Sequence, residues 1–423
     1  MTATRTSLFQ LPNGGQSVGS SAFLERRNNA AQRADEAGLP SFEEELWRYT
    51  PIADLDVSKY ELGAPGGSLL DFGLTNGVDE NAAAVIHIVD GQVVSMSVHD
   101  ETVTVLTDGT EFENLIGSVM QTGPDVFSDY NFAYCSAPIV IHIASNAVIA
   151  GPVLIRQHTT TEGLAWFPRV MVDLGENSEA TVVEHQTSPD IDALVCPVTE
   201  LKVRQAGRLQ YLTVQEHGPR TWQIATQMAE IDRDAHLAVS QIALGGEYAR
   251  ARIDIKMAGQ GSSGDISSVY FGRADAQHDF RTFQRHNAPH TNSNLLFKGV
   301  LDDRSRAIYT GLIRIEPDAA DVNAYQTNRT LKLSEEAWAE SVPNLEIENN
   351  DVRCSHASAV GPIDQDQRFY LESRGVPEDI AEALVVRGFF ADVLDRLPVA
   401  TISDAANTRI SELLALEGPG QQR

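Results

Sequence analysis

The chain has 423 residues, with 32 basic and 59 acidic side chains and a net charge of −27 when histidine is neutral. That balance, without any run of Lys or Arg, excludes binding to nucleic acid by counterion release and attachment to an anionic membrane surface. At roughly 150 residues per domain the length predicts two to four units, and a core large enough to need no disulfide or zinc staple.

Cys135, Cys196 and Cys354 form no C-x-x-C and leave an odd count, so the reducing cytoplasm is the expected compartment. Met1 to Ser20 holds no apolar signal core, and no stretch reaches the roughly 18 apolar residues of a membrane span.

Three zones follow along the chain: a helical region and connector over 1–82, a β core over 83–348 that is regular from about 138, and a C-terminal segment with helices over 349–423. In the first zone Ala22, Leu24, Ala30, Ala31 and Ala34 lie among polar residues, with Gly38 and Pro40 as stop signals. A second short helix is predicted over Phe42–Trp47, ending before Pro51, and Glu61–Asn81 reads as a Gly-rich connector. In the second zone Val85–Ile88, Asp90-Gly91 and Val93–Val98 predict a hairpin, because Asp-Gly accepts the positive φ angles of a type I′ turn. A short helix is expected around Glu113–Val119.

From Pro138 the period is 2. Four units repeat apolar alternation, a Gly or Asp turn, and apolar alternation. With starts taken at Val172, Val203, Ala229 and Ile253 they lie 31, 26 and 24 residues apart. Imperfect repeats of this size predict stacked coils of a β-helix, since one coil cannot bury its apolar face alone.

The helical period returns at Asp364. Pro377 with Glu378 and Asp379 predicts a helix start, Gly388 an interruption, and Phe389, Phe390, Val393, Leu394 and Leu397 an apolar stripe ending at Pro398. Thr401–Leu416 reads as a last helix and Glu417–Arg423 as a frayed tail.

Several motifs invite chemistry. Gly259-Gln-Gly261-Ser-Ser-Gly264 matches a dinucleotide loop, but strand rather than helix is expected after it, so it reads as a turn. No P-loop is present. His286 and His290 have zinc-ligand spacing only on a helix, which Pro289 opposes, so a corner between coils is expected. Asp302-Asp303 reads as a solvated turn rather than an acid–base pair. Cys354-Ser-His356 sets a thiol and an imidazole on one face of an extended segment, with Asp351 nearby. That set suits iron or iron–sulfur species, and equally suits a buried Cys beside a hydrogen-bonded His. Two protein ligands do not close a site, so the metal reading requires a partner or exogenous thiols.

The stretch from His286 to Pro398 resembles the SufB/SufD family of iron–sulfur cluster assembly proteins. The resemblance rests on His290-Thr-Asn-Ser-Asn-Leu-Leu-Phe-Lys-Gly-Val-Leu-Asp-Asp303, Ala324-Tyr-Gln-Thr-Asn-Arg329, Pro343-Asn-Leu-Glu-Ile347, Asp351-Val-Arg-Cys-Ser-His356, Phe369-Tyr-Leu-Glu-Ser-Arg-Gly375 and Gly388-Phe-Phe-Ala-Asp-Val-Leu394. Glu45-Leu-Trp-Arg-Tyr-Thr50 adds an N-terminal signature. Leu371 stands where the SufB branch carries a cysteine, so the chain resembles the SufD branch. Ala357-Ser358-Ala359 and Asn349-Asn350-Asp351 depart from the commoner family pattern.

The resemblance implies a mainly β fold, a right-handed parallel β-helix between N- and C-terminal helical regions. It implies a non-catalytic scaffold that pairs with a SufB-like paralogue and binds a SufC-like ABC ATPase, with a homodimer possible in isolation. No permanent cofactor is implied. A transient iron or nascent iron–sulfur cluster is expected at the SufB interface, with His356 as ligand and Cys354 as a neighbouring candidate. Glu382, Val385, Val386, Phe389, Phe390 and Val393 are the expected ATPase contact. Three alternatives compete: a SufB-like chain that itself receives sulfur, an exported β-helix enzyme acting on polysaccharide, and a metal-free structural homodimer.

Overall fold

The computed structural model describes residue 9, residues 19–63 and residues 67–415. The expectations for the Glu417–Arg423 tail, for most of Met1–Ser20 and for Leu416 fall outside these residues. So does part of the Glu61–Asn81 connector.

The N-terminal helix α1, Ser21–Ala37, starts where the Ser20 hydroxyl accepts a hydrogen bond from the Phe23 N–H at 3.2 Å. It stops at Gly38, whose φ of 69° no longer continues the helix. The second helix expected over Phe42–Trp47 is a single 3₁₀ turn, Glu45–Trp47. Six residues before a proline are too few to repay helix nucleation. The expected helix at Glu113–Val119 is displaced to α2, Gly109–Leu115, and Gly117 with φ 77° turns the chain away from it. Helix α3, Val126–Tyr134, has no counterpart in the sequence reading. It is buried on nearly all sides, so it lacks the polar face that makes a helix visible as a pattern. Arg33 on α1 holds Asp129 on α3 at 2.5 Å, and Arg27 donates to the carbonyls of Ala133 and Cys135.

Strands Ala84–Val89 and Gln92–Val98 form the expected hairpin, with Asp90 and Gly91 at φ 48° and 86°. From Ile139 to Pro362 the chain winds as a parallel β-solenoid. Each coil gives strand to each of two sheets, split in two in the first sheet at Leu164–Trp166 with Arg169–Leu174 and at Ala193–Val195 with Val198–Val203, and the strands pair in parallel with their counterparts one coil away. The first sheet ends on Trp338–Ile347 and the second on Val352–Pro362.

Alternate side chains point into the lumen. In the first sheet Val172, Leu201, Ala229 and Ile255 stack in register, and in the second Val182, Tyr211, Val239, Ile266 and Leu295 do the same. These columns form the main core. Two of the predicted unit starts are out by two residues: Val203 pairs with Leu174 and Ile231, and Ile253 with Gln227. A slip of two preserves the inward face, so alternation alone could not detect it.

One corner of the solenoid repeats a left-handed residue in each coil: Asn146, Asn177, Ala206, Asp234, Gly261, His290 and Asp321 all have positive φ. The N–H of each donates to a carbonyl of the following coil, as Gly261 does to Pro289 and His290 to Ala320. The glycine motif and His290 therefore occupy the same structural position, a turn between coils.

Helices α4 (Gln365–Ser373), α5 (Glu378–Leu394) and α6 (Ala400–Ala415) follow the last strand. Pro377 is the residue before α5 rather than its first, and Gly388 does not interrupt it. A mid-helix glycine costs about 1 kcal/mol, which the burial of Val386, Phe390 and Val393 outweighs. With Ile402, Ala406 and Ile410 of α6 these residues cover Val214, Ile242, Val269, Phe271 and Val300 on the outer face of the second sheet. No helix among the described residues is long and apolar enough to cross a membrane.

Candidate functional site

The last coil leaves one edge of each sheet without a neighbouring strand among the described residues, Trp338–Ile347 and Val352–Pro362. Both edge strands are half-buried or exposed throughout, whereas in the neighbouring strand Val322–Lys332 buried residues still alternate with half-buried and exposed ones. The second of them carries the Cys354-Ser-His356 motif. In register, Cys354 lies against Ala324, His356 against Gln326 and Ser358 against Asn328. His356 thus caps the lumen column that begins at Val182 and runs through Leu295 and Gln326.

Cys354 is half-buried and packs with Ile313, Ile315 and Ala324 at the end of the core. His356 is exposed. The expectation that the two share a face is met, because positions two apart in a strand point the same way. The layer beneath is polar and fixed: Gln326 donates to the Tyr309 hydroxyl at 2.5 Å, and Ser341 joins Asn328 at 3.0 Å and Ser358 at 2.7 Å. Asp351 lies in the corner turn, where its carbonyl accepts from Asp321 N–H. Among the described residues no three His, Cys, Asp or Glu side chains converge as a metal group. Cys354 and His356 therefore stand at this end of the solenoid with no third such side chain grouped with them among the described residues.

The three cysteines differ in reach. Burial pushes the Cys135 thiol up to about 11 and the Cys196 thiol well above its ordinary value, and both are fully enclosed. Burial also raises Cys354, but this thiol is partly open to solvent. It is the one cysteine placed to meet an external ligand.

A second feature lies beside the first. A groove of ≈ 1140 Å³ runs between the last two strands of the second sheet and helices α4 and α5. Leu331, Val360, Tyr370, Leu371, Val385 and Phe389 are among its lining residues. Of the six residues expected to contact a partner, Val385 and Phe389 line this groove and Glu382 is half-exposed. Val386, Phe390 and Val393 face inward, fully covered by the solenoid and α6, and hold α5 in place. Outside those six, Phe369, Tyr370, Ile380 and Leu384 are 69%, 58%, 49% and 42% exposed. The apolar stripe of α5 marks the buried face, and nothing in its pattern marks these exposed ones.

The remaining motifs are structural. Buried His286 bonds to Thr291 and Ser293, while His290 pairs with Asp321 at 2.9 Å, so the two histidines form no ligand pair. Asp303, φ 52°, accepts from Ala274 N–H in a turn. The Trp47 signature docks on the outer face of the first sheet. Arg250 lies 4.0 Å from the Trp47 ring centre and donates to the Leu46 carbonyl, and Arg281 donates to the Arg48 carbonyl.

Comparison with known proteins bears on this geometry. Residues 156–389 match the family model described as SUF system FeS cluster assembly, SufBD core domain. An iron–sulfur cluster assembly SufBD family protein of Mycobacterium tuberculosis is 30% identical over 300 residues, covering 69% of this chain and 73% of the relative. The iron–sulfur cluster assembly protein SufD of Escherichia coli is 27% identical over 392 residues, covering 89% and 90%. A SufBD family protein of Synechocystis is 21% identical over 406 residues, covering 90% and 89%.

Proposed function

Because this chain belongs to the SufBD family of iron–sulfur cluster assembly proteins, we propose that it is the SufD-like scaffold subunit of a SUF assembly complex. It pairs with a SufB-like paralogue through the open end of the solenoid and carries a SufC-like ABC ATPase on its C-terminal helices. The observation that carries this reading is the pair of edge strands, unpaired among the described residues, with His356 exposed at the end of the lumen. Open strand edges are templates for pairing with another chain. Iron or a nascent cluster is the cargo. His356 and Cys354 supply two donors, and the partner or sulfide supplies the rest.

The ATPase acts through differential binding to two arrangements of the complex. The groove beside α4 and α5 is the proposed docking site, with Val385, Phe389 and Glu382 from the expected set and Tyr370 and Leu384 added by their exposure. Leu371 lines that groove and gives no thiol for sulfur transfer, which disfavours the sulfur-receiving alternative. A reducing compartment, the cytoplasm, is part of the same reading, and three free cysteines are compatible with it.

The test is co-expression with the SufB-like and SufC-like proteins of the source organism and anaerobic purification by a tag on this chain. Native mass, iron and sulfide are read together for wild type and His356→Ala. A ternary complex whose iron and sulfide fall in the variant supports the scaffold and the ligand. Unchanged iron keeps the scaffold and reduces His356 to a structural residue. Recovery of a homodimer alone removes the proposed partnership.

A further inference from the structure

The lumen is not apolar throughout. In the coils between Glu184 and Gln241 the inward column of the second sheet reads Glu184, Thr213 and Gln241, in register. Thr199 and Gln227, in register in the first sheet, help line the same space. Gln186 and Gln223 close it on one side, with Gln223 donating to the Gln186 side-chain oxygen. The Glu184 carboxyl accepts from Tyr211 Oη at 2.5 Å, Gln186 Nε2 at 2.9 Å and Thr199 Oγ1 at 3.2 Å.

Two amide atoms in this chamber find no protein partner among the described residues: Gln227 Nε2, a donor, and Gln241 Oε1, an acceptor. Both residues are more than nine-tenths buried, at 8% and 6% exposure. A buried polar group left unmet is costly, and a single small partner between these two atoms would satisfy both. The chamber leaves ≈ 30 Å³ open to the centre of a water molecule. That exceeds the roughly 10–15 Å³ that a bound water needs, and is too small for a larger ligand.

We propose that this chamber is a built hydration site inside the solenoid, holding a water that accepts from Gln227 Nε2 and donates to Gln241 Oε1. The donor–acceptor complement favours water over an ion: a cation finds an amide N–H pointed at it, and an anion finds a carboxyl. The water joins the two sheets where apolar columns give way to polar ones. Toward the open end the rings of Tyr270, Phe280, Phe297 and Tyr309 pack against one another at 4.9 to 5.4 Å between centres. Phe297 stands in the column that runs from Gln241 to Ser358 on the last strand, between the chamber and the open end.

The deciding measurement is a crystal structure of the wild-type chain at a resolution that shows ordered solvent. The expected result is one solvent peak within hydrogen-bond distance of both Gln227 Nε2 and Gln241 Oε1, in every copy. A dry chamber, or the two amides bonded directly to each other, overturns the proposal. Oxygen-17 relaxation dispersion in ¹⁷O-enriched water supplies a second reading, with Gln241→Met filling the chamber. One long-lived water fewer in the folded variant supports the site, and identical profiles overturn it. If the variant does not fold, the wild-type crystal decides.

Discussion

Lys298 and Asp392 meet across the joint between the solenoid and α5, with Nζ 2.6 Å from Oδ1. The same ammonium donates to the Phe389 carbonyl at 2.7 Å and lies 4.8 Å from the centre of the Phe389 ring. Asp392 is half exposed, so the ion pair itself contributes little. The bond to the Phe389 carbonyl is part-buried and ties the helix to the second sheet. Lys298→Met is expected to cost about 1–3 kcal/mol locally. Hydrogen exchange should then quicken across 378–394 while the solenoid strands stay protected. Unchanged exchange in α5 would show that apolar packing alone fixes it.

Asp279 is fully buried and accepts from Tyr248 at 2.8 Å, Arg250 at 2.8 Å and Arg281 at 2.7 Å. These two arginines also hold the Trp47 segment. Asp279→Ala leaves both guanidinium groups buried without their counter-charge, a loss of about 3–5 kcal/mol. Denaturant unfolding should show it, and limited proteolysis should cut first within 38–60. Wild-type stability with an uncut N-terminal segment would contradict the assignment.

Of the histidines that burial depresses, four move furthest: His158, His278 and His286 to about 4, and His217 to about 3. Their folded values lie below the unfolded value near 6.5, so the folded state keeps them neutral. Their contribution is complete above about pH 6.5 and is withdrawn as pH falls toward 4, because the unfolded chain takes up the protons first. Each group removes about 1.4 kcal/mol per pH unit in that window. Unfolding free energy measured at pH 7, 6 and 5 should fall steadily. His217→Leu should flatten the slope, since both ring nitrogens lack a protein partner among the described residues. An unchanged slope would assign the acid sensitivity elsewhere.

A Cβ on Gly299 would stand 1.9 Å from the Tyr270 ring. That ring is buried and anchored by its hydroxyl to Thr330 at 2.7 Å, so it has nowhere to retreat. Gly299→Ala is expected to lose about 1–3 kcal/mol by overpacking. Gly299→Ala combined with Tyr270→Phe, which frees the ring from Thr330, should recover part of the loss. A single variant as stable as wild type in thermal unfolding would count against this close approach.

Of the three thiols, only Cys354 is partly open to solvent. A thiol reagent should label one site in the native protein, and slowly, because burial raises that thiol too. Labelling of Cys135 and Cys196 should wait for denaturant. Mass spectrometry of the native adduct decides the site, and rapid labelling of all three would show that the core opens.

Local chemistry made much of this molecule readable from its residues. The Asp90-Gly91 hairpin, the return of helix at Asp364 and the turn nature of Gly259–Gly264 all follow from backbone preferences within a few residues. Alternation along the core strands predicted a solenoid, because a repeated two-residue period must bury one face and stacking coils is how it does so. The family motifs around Cys354 and His356 pointed to the open end. Helix α3 was hidden because it is buried all round and has no polar face to mark it. The expected partner surface on α5 was split for a related reason. An apolar stripe shows that a helix face is covered, not what covers it, and Val386, Phe390 and Val393 proved to be covered by the chain's own sheet.

What only the tertiary structure decided is which residues become neighbours across coils. Register is not local, since a shift of two residues leaves every apolar side chain on the same face. Only the stacked fold puts His356 at the end of the column through Gln326, encloses Gln227 and Gln241 in one chamber, and docks Trp47 under Arg250. The sequence by itself settled the class of element along the solenoid and the C-terminal helices, and not between Val103 and Tyr134. The meeting of residues a coil or a hundred positions apart is set by packing, which no single stretch of chain contains.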